Sequence, residues 1–198
     1  MVDILYKYNN QVYANITNLC NCRCTFCIRF LKDGIGNADT LWHQVNPTKE
    51  EVLEAIRNYD FTGQSELVFC GYGEPTCALD TLLEAAAVVK NEKHLKVRLN
   101  TNGLGSLQNK KNIAPLLAKV VDTVSISLNA PDEESYNAVT KPQLDGAFDA
   151  MLSFAQECRK CGMDVKLTVV DVLPKEQIEA ARKLSESIGV DLRVRKFT

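Results

Sequence analysis

The sequence predicts an α/β fold: an open, partial (β/α)6 TIM-like barrel whose curved sheet is mostly parallel. Three observations support this. From about residue 66 onward, strand-like runs alternate with helix-like runs, the pattern of right-handed βαβ crossovers. About six such units are present, too few to close an eight-fold barrel. Polar residues gather where the strand-like runs end, and in parallel α/β folds ligands bind at those ends.

The first strand reads from Val12 to Thr17. A long segment, Arg29 to Asn46, then escapes the alternation. It contains Gly34, Gly36, Asp39 and Trp42, the only tryptophan, and reads either as a solvated connector or as a lid. The first helix opens at Thr48-Lys49-Glu50-Glu51, a capping box in which Thr48 and Glu51 satisfy free amides, and Pro47 precedes it as a residue outside the helix. Glu66 to Cys70 is a short apolar run stopped by Gly71, as a buried parallel strand is. Leu79 to Lys90 repeats apolar residues at helical spacing. Strand character returns at Leu95 to Leu99 and ends in Asn100-Thr101-Asn102-Gly103. Helix follows at Ile113 to Lys119, strand at Val121 to Leu128, and helix at Leu144 to Cys161. Strand Val165 to Val170, helix Lys175 to Ile188 and strand Asp191 to Lys196 complete the series. No repeat, low-complexity tract or linker divides it, so residues 1–198 read as one domain.

Composition narrows the function. The 198 residues are 45% hydrophobic and 24% charged, with a net charge of -2. That balance gives no electrostatic footprint for nucleic acid or an anionic membrane. Met1 to Asn10 lacks the basic and apolar regions of a secretory signal, and no apolar run approaches the ~20 residues that span a bilayer. Eight cysteines without an export signal indicate a reducing cytoplasm, where thiols bind metals or do redox chemistry rather than form disulfides.

Three of those cysteines, Cys20, Cys24 and Cys27, fall within eight residues as Cys-x3-Cys-x2-Cys, just after the first strand. Structural zinc and ordinary iron–sulfur sites take four protein ligands. Three thiolates on one loop therefore point to a [4Fe–4S] cluster with one iron left open. The remaining strand ends are polar too: Gly71-Tyr72-Gly73-Glu74-Pro75, then Asn100 to Gly103, then Ser125, Ser127 and Asn129 on one face by period-two alternation, and Asp171. Two other readings stay open. One is a structural zinc site joining Cys24-x2-Cys27 to Cys158-x2-Cys161; the other is an electron-transfer iron–sulfur protein without further chemistry. Cys22 reads as a bystander or alternative ligand, Cys70 as an apolar residue in the sheet, and Cys77 as a thiol near the glycine loop. Asn102 reads as a turn former beside Gly103, and neither His43 nor His94 suggests a metal site.

Cys20-x3-Cys24-x-Phe26-Cys27, with an aromatic residue before its last cysteine, resembles the cluster motif of the radical S-adenosylmethionine (radical SAM) enzymes. Gly71-Tyr72-Gly73-Glu74-Pro75 resembles their glycine-glycine-glutamate motif. Together with Cys27-Ile28-Arg29, Phe69 to Thr76 and Ser127 to Asp132, these motifs look like one branch, the radical SAM proteins associated with TatD-type nucleases. The resemblance implies that Cys20, Cys24 and Cys27 bind three irons of a [4Fe–4S] cluster and that SAM chelates the fourth. Reductive cleavage of SAM then gives a 5′-deoxyadenosyl radical that takes hydrogen from a substrate, either nucleotide-related or a partner protein. It also implies an electron donor such as flavodoxin or ferredoxin. On physical grounds, Gly71 and Gly73 would let the backbone approach the methionyl end of SAM. Glu74 and nearby carbonyls would accept from its amino group. Asn100, Ser127 and Asn129 would meet its hydroxyls and carboxylate, and Phe26 would lie against adenine.

Overall fold

A computed structural model describes residues 4–196. Met1 to Asp3, part of the segment read for a secretory signal, lie outside the described residues, as do the last two positions of the chain. The sheet has seven strands in sequential order: β1 (Leu5–Tyr8), β2 (Gln11–Ala14), β3 (Glu66–Phe69), β4 (Lys96–Thr101), β5 (Thr123–Ser127), β6 (Asp164–Val170) and β7 (Asp191–Arg195). Strands β2 to β7 are parallel throughout. These are the six expected strands, several of them shorter at the ends than the apolar runs suggested.

The additional strand, β1, pairs antiparallel with β2. Asn9 and Asn10 between them both have positive φ, 48° and 62°, the conformation a two-residue hairpin turn needs to match strand twist. The sheet has edges at β1 and β7 and curves strongly. Arg195 of β7 comes within electrostatic range of Tyr13 on β2 and Cys70 beyond β3, so opposite walls of the sheet face each other across a concavity.

Among the described residues seven α-helices join the sheet: α1 (Lys49–Asn58), α2 (Leu79–Asn91), the single turns α3 (Gly105–Gln108) and α4 (Ala114–Leu117), α5 (Glu133–Thr140), α6 (Ala147–Lys160) and α7 (Lys175–Ser187). The expected capping box is present: Thr48 N–H donates to Glu51 Oε2 at 2.7 Å and Glu51 N–H donates to Thr48 Oγ1 at 3.2 Å. Alternate residues of each strand (Val12, Leu67, Leu99, Ile126 and Leu167 among them) join the helices in one core. The other residues of each strand line the concave face, which mixes polar residues such as Arg98, Asn100, Ser125, Ser127 and Thr168 with Tyr13, Val68 and Val170. The helix expected over 113–119 is only one turn, and neither α3 nor α5 was expected.

Segment 29–46 is neither a solvated connector nor a free lid. It folds back on the β1–β2 hairpin, where Ala38 and Leu41 join Tyr6 and Tyr72 in a second small core with Trp42 packed against it. Asn37 Oδ1 accepts from Lys7 N–H at 2.6 Å, Asn15 Nδ2 donates to the Leu41 carbonyl at 2.6 Å, and the Tyr72 hydroxyl donates to the Lys32 carbonyl. His43 is buried with Nε2 2.8 Å from the Asn15 carbonyl. A segment without regular structure is thus fixed by some of the shortest hydrogen bonds in the molecule.

Candidate active site

The carboxyl ends of β2 to β5 form one rim. The cysteine loop follows β2 and is gripped from three sides. Glu74 N–H, beyond β3, donates to the Leu19 carbonyl at 2.7 Å. Asn21, buried within the loop, accepts from Asn102 Nδ2 at 2.6 Å and donates to Gln108 Oε1 at 3.1 Å. From the third side, the end of α5 offers free carbonyls: Arg23 N–H donates to Thr140 O at 3.1 Å and Thr25 N–H to Val139 O at 2.9 Å. The last carbonyls of any helix lack partners inside it, so α5 lends its own to hold the thiols in place.

Cys20, Cys24 and Cys27 are half-buried and Cys22 is fully buried; all eight cysteines are free thiols. Burial pushes the Cys20 thiol up to about 11, against the pull of the Cys22 amide, and raises Cys27 as well. Interaction between the two neighbouring thiols raises the Cys22 pKa and lowers that of Cys24. Cys22 itself packs into the core beside Pro142.

Glu74 is 4% exposed, and both its carboxylate oxygens have protein partners. Oε1 accepts from Thr76 N–H at 3.0 Å and from the Thr76 and Thr101 hydroxyls, each at 2.7 Å. Oε2 accepts from Asn102 N–H at 2.8 Å. Burial raises its pKa, opposed by these donors. Asn102 continues the chain of contacts. Its Oδ1 accepts from Leu104 N–H at 3.0 Å, the expected turn, while its Nδ2 holds Asn21. Carboxylate, turn and cysteine loop form one connected unit.

Glycine at 71 and 73 is required by the protein itself. A Cβ at Gly71 would collide with the Asn15 side chain, and one at Gly73 with the carbonyls of Thr17 and Leu19. Asn15 Oδ1 in turn accepts from Tyr72 N–H at 3.1 Å. The close approach is therefore between the glycine loop and the end of β2.

Asn100, Ser125 and Ser127 lie on the concave face, in register with one another and with Lys166 and Thr168. Asn129 follows β5 with a φ of 63° and is 6% exposed. Asn100 Oδ1 and Asn129 Oδ1 are buried without a hydrogen-bond partner. A stranded buried acceptor costs about 1–3 kcal/mol, so two on one rim mark a place for a ligand's donors. Phe26 is half-buried in the cysteine loop. Arg29 stacks on Phe30 and Trp42 and donates to the Tyr72 carbonyl at 3.4 Å, joining the cysteine loop to the glycine loop.

The zinc reading fails on position. Cys158 is 0% exposed, inside the main core. Cys161 ends α6 at the amino end of β6, whereas the cysteine loop follows the carboxyl end of β2. A five-residue strand is about 17 Å long, so the pairs lie at opposite ends of the sheet. Among the described residues no group of three or more His, Cys, Asp or Glu side chains could hold a single metal ion. Thiols that bind different irons of a cluster need not lie so close together. Three thiols on a clamped loop beside unpartnered neutral oxygens fit a [4Fe–4S] cluster with a small polar cofactor at its open corner. Among the described residues no helix is long and apolar enough to cross a membrane.

A GTP 3',8-cyclase of Paenarthrobacter nicotinovorans is 28% identical over 147 residues, covering 73% of this chain and 39% of that protein. One from Alkaliphilus oremlandii is 25% identical over 202 residues, covering 98% of this chain and 58% of that protein. The chain thus spans between about two-fifths and three-fifths of these relatives' lengths. Streptococcus suis SuiB bound to its precursor peptide SuiA shares the fold with a TM-score of 0.69 at 20% identity, over 92% of this chain and 38% of SuiB. Residues 14–188 match the family model for the Radical SAM superfamily, and the chain belongs to that superfamily, whose enzymes work with a [4Fe–4S] cluster and S-adenosylmethionine.

Proposed function

We propose that this chain is the catalytic core of a radical SAM enzyme acting on a nucleotide-related substrate, with residues 1–198 forming a single domain. Cys20, Cys24 and Cys27 would hold the [4Fe–4S] cluster. When bound, the cluster and SAM supply one-electron cleavage of the sulfonium bond, giving methionine and a 5′-deoxyadenosyl radical that takes a hydrogen atom from the substrate. The observation that carries this reading is the pair of buried, unpartnered oxygens of Asn100 and Asn129 on the same rim as the three cysteines.

In this reading the chain's own residues bind, orient and shield. Asn100, Ser127 and Asn129 accept from the cofactor's hydroxyl and amino groups, and Phe26 offers an apolar face to its adenine. The backbone of Gly71 and Gly73, drawn against the end of β2, presents its carbonyls to the amino group. Glu74 acts as a positioning residue, since its oxygens are occupied; it fixes Asn102 and, through it, Asn21 of the cysteine loop.

The GTP 3',8-cyclase relatives favour a nucleotide over a protein substrate. The Cys27-Ile28-Arg29, Phe69 to Thr76 and Ser127 to Asp132 segments support membership of the TatD-associated branch, and with it a functional link to a TatD-type nuclease. Leu19, Phe30 and Leu31, 55–62% exposed around the cysteine loop beside exposed Arg23 and Lys32, offer an apolar and basic surface for flavodoxin or ferredoxin. Eight free thiols suit a reducing cytoplasm.

The test is anaerobic cluster reconstitution, then reduction with SAM present, with 5′-deoxyadenosine quantified by mass spectrometry. Its formation is expected, with deuterium transferred to it from ribose-deuterated nucleotide substrates. Fully iron-loaded protein that binds SAM but forms no 5′-deoxyadenosine would refute the reading.

A further inference from the structure

Beyond the cysteine rim, the concave face carries two cations without a counter-ion. Strand register sets Lys166, Thr168 and Val170 of β6 beside Asp191, Arg193 and Arg195 of β7, opposite the face on which Leu167 and Val169 enter the helix-covered core. Arg98 on the concave face is already engaged, 3.0 Å from Glu66 and 2.7 Å from Gln11 Oε1. Lys166 has Asp164 at 3.6 Å. Among the described residues no carboxylate pairs with Arg193 or Arg195. Arg195 is exposed, although desolvation by its surroundings lowers its pKa. It faces Cys70 and Tyr13 across the concavity and is repelled by Arg193. Charges on an edge strand also deter strand pairing, a role that does not require Arg195 to lie within electrostatic range of Cys70 and Tyr13.

We infer that Arg193 and Arg195 form an anion subsite for the phosphate groups of the substrate; this rests on the radical SAM reading and names its substrate class. Two unpaired guanidinium groups repel each other unless an anion lies between them, and the planar fork of arginine matches phosphate oxygens in pairs. Ser127, Thr168 and Arg193 are successive register partners. Arg193 therefore starts about 10 Å, two strand spacings, from Ser127 on the cofactor side. A nucleotide spans that distance, with its phosphates at β7 and its sugar toward the rim.

The test is calorimetric titration of the cluster-loaded protein with inorganic triphosphate at low salt. Arg193→Gln and Arg195→Gln are each expected to weaken binding at least tenfold and Arg195→Lys to restore part of it. Lys160→Gln on the exposed side of α6 should change nothing, and SAM affinity should stay at the wild-type value in all four. Wild-type protein without saturable triphosphate binding, or glutamine variants that bind like wild type, would overturn the inference. An equal loss of SAM affinity would overturn it too, by assigning the arginines to the cofactor. Should Arg195→Gln fail to fold, Arg193→Gln carries the same expectation. 5′-Deoxyadenosine formation without substrate is measured in parallel: its absence in wild type sinks the radical reading and leaves the triphosphate result standing.

Discussion

Replacing Glu74 distinguishes a carboxylate that holds the rim together from one that binds SAM. In Glu74→Ala the amides of Thr76 and Asn102 lose their acceptor in a site 4% exposed. The Thr76 and Thr101 hydroxyls can rotate toward other acceptors; the amides cannot. Two stranded buried donors cost about 1–3 kcal/mol each, offset in part by removing a carboxylate that was itself costly to bury. The expected net loss is about 2–4 kcal/mol. For a chain of this size that lowers the melting temperature by about 5–15 °C, read by circular dichroism on cluster-free protein. Glu74→Gln should fall between, because Oε1 keeps its donors while an amide nitrogen faces Asn102 N–H.

The pH dependence carries a sign. Burial raises the Glu74 pKa in the folded state, so the folded protein takes up this proton more readily than the unfolded chain does. Its contribution to stability is greatest below the usual carboxylate range, declines as pH rises through the window up to the raised value, and is flat above it. Measured against Glu74→Gln, which does not titrate, wild type should gain stability as pH falls through that window. A Glu74→Ala protein that melts within 1 °C of wild type would refute the reasoning, leaving the carboxylate free to be a ligand.

Cys24→Ala should reduce iron after reconstitution to background, whereas Cys22→Ala should keep full iron and lose only about 1 kcal/mol, since Cys22 faces the core; iron analysis and thermal melts check both. Asn129→Gly retains the positive φ and removes a stranded oxygen, so SAM affinity by calorimetry should fall about tenfold while the melting temperature holds; unchanged affinity would remove Asn129 from the site. Gly73→Ala drives a Cβ into two backbone carbonyls and should cost about 3 kcal/mol even without cofactor. Gly71→Ala meets only the Asn15 side chain and should cost less, a ranking that thermal melts of the two cluster-free variants would test.

The parallel strands, the longer helices and the cysteine motif were legible because each repeats a local signal: period two, period 3.6, or close thiol spacing. The β1–β2 hairpin is also written locally, in Asn9-Asn10 between alternating tyrosines, but its two four-residue strands are too short to show a strong period. Helix α5 was harder to see. It buries only Tyr136 and Thr140; its signals are confined to its start, the Asp132 cap that accepts from Ser135 N–H at 2.9 Å and the acidic first turn Glu133-Glu134.

What no local pattern contains is the partner at the other end of a long-range contact. The sequence shows that Gly71 and Gly73 must lack a Cβ but not what fills the space, and the filler is the end of β2 rather than cofactor. It shows a glutamate at a strand end but not the four donors converging on it from beyond β3 and from β4. Residues that read alike in sequence thereby separate in the structure. Glu74, with both oxygens bonded to protein donors, fixes its neighbours; Asn100 and Asn129 each keep a buried oxygen without a partner, which is why the proposal gives them to the cofactor. The unsatisfied acceptor, rather than the polar residue as such, is what the proposal uses to separate candidate binding groups from supporting ones on this rim.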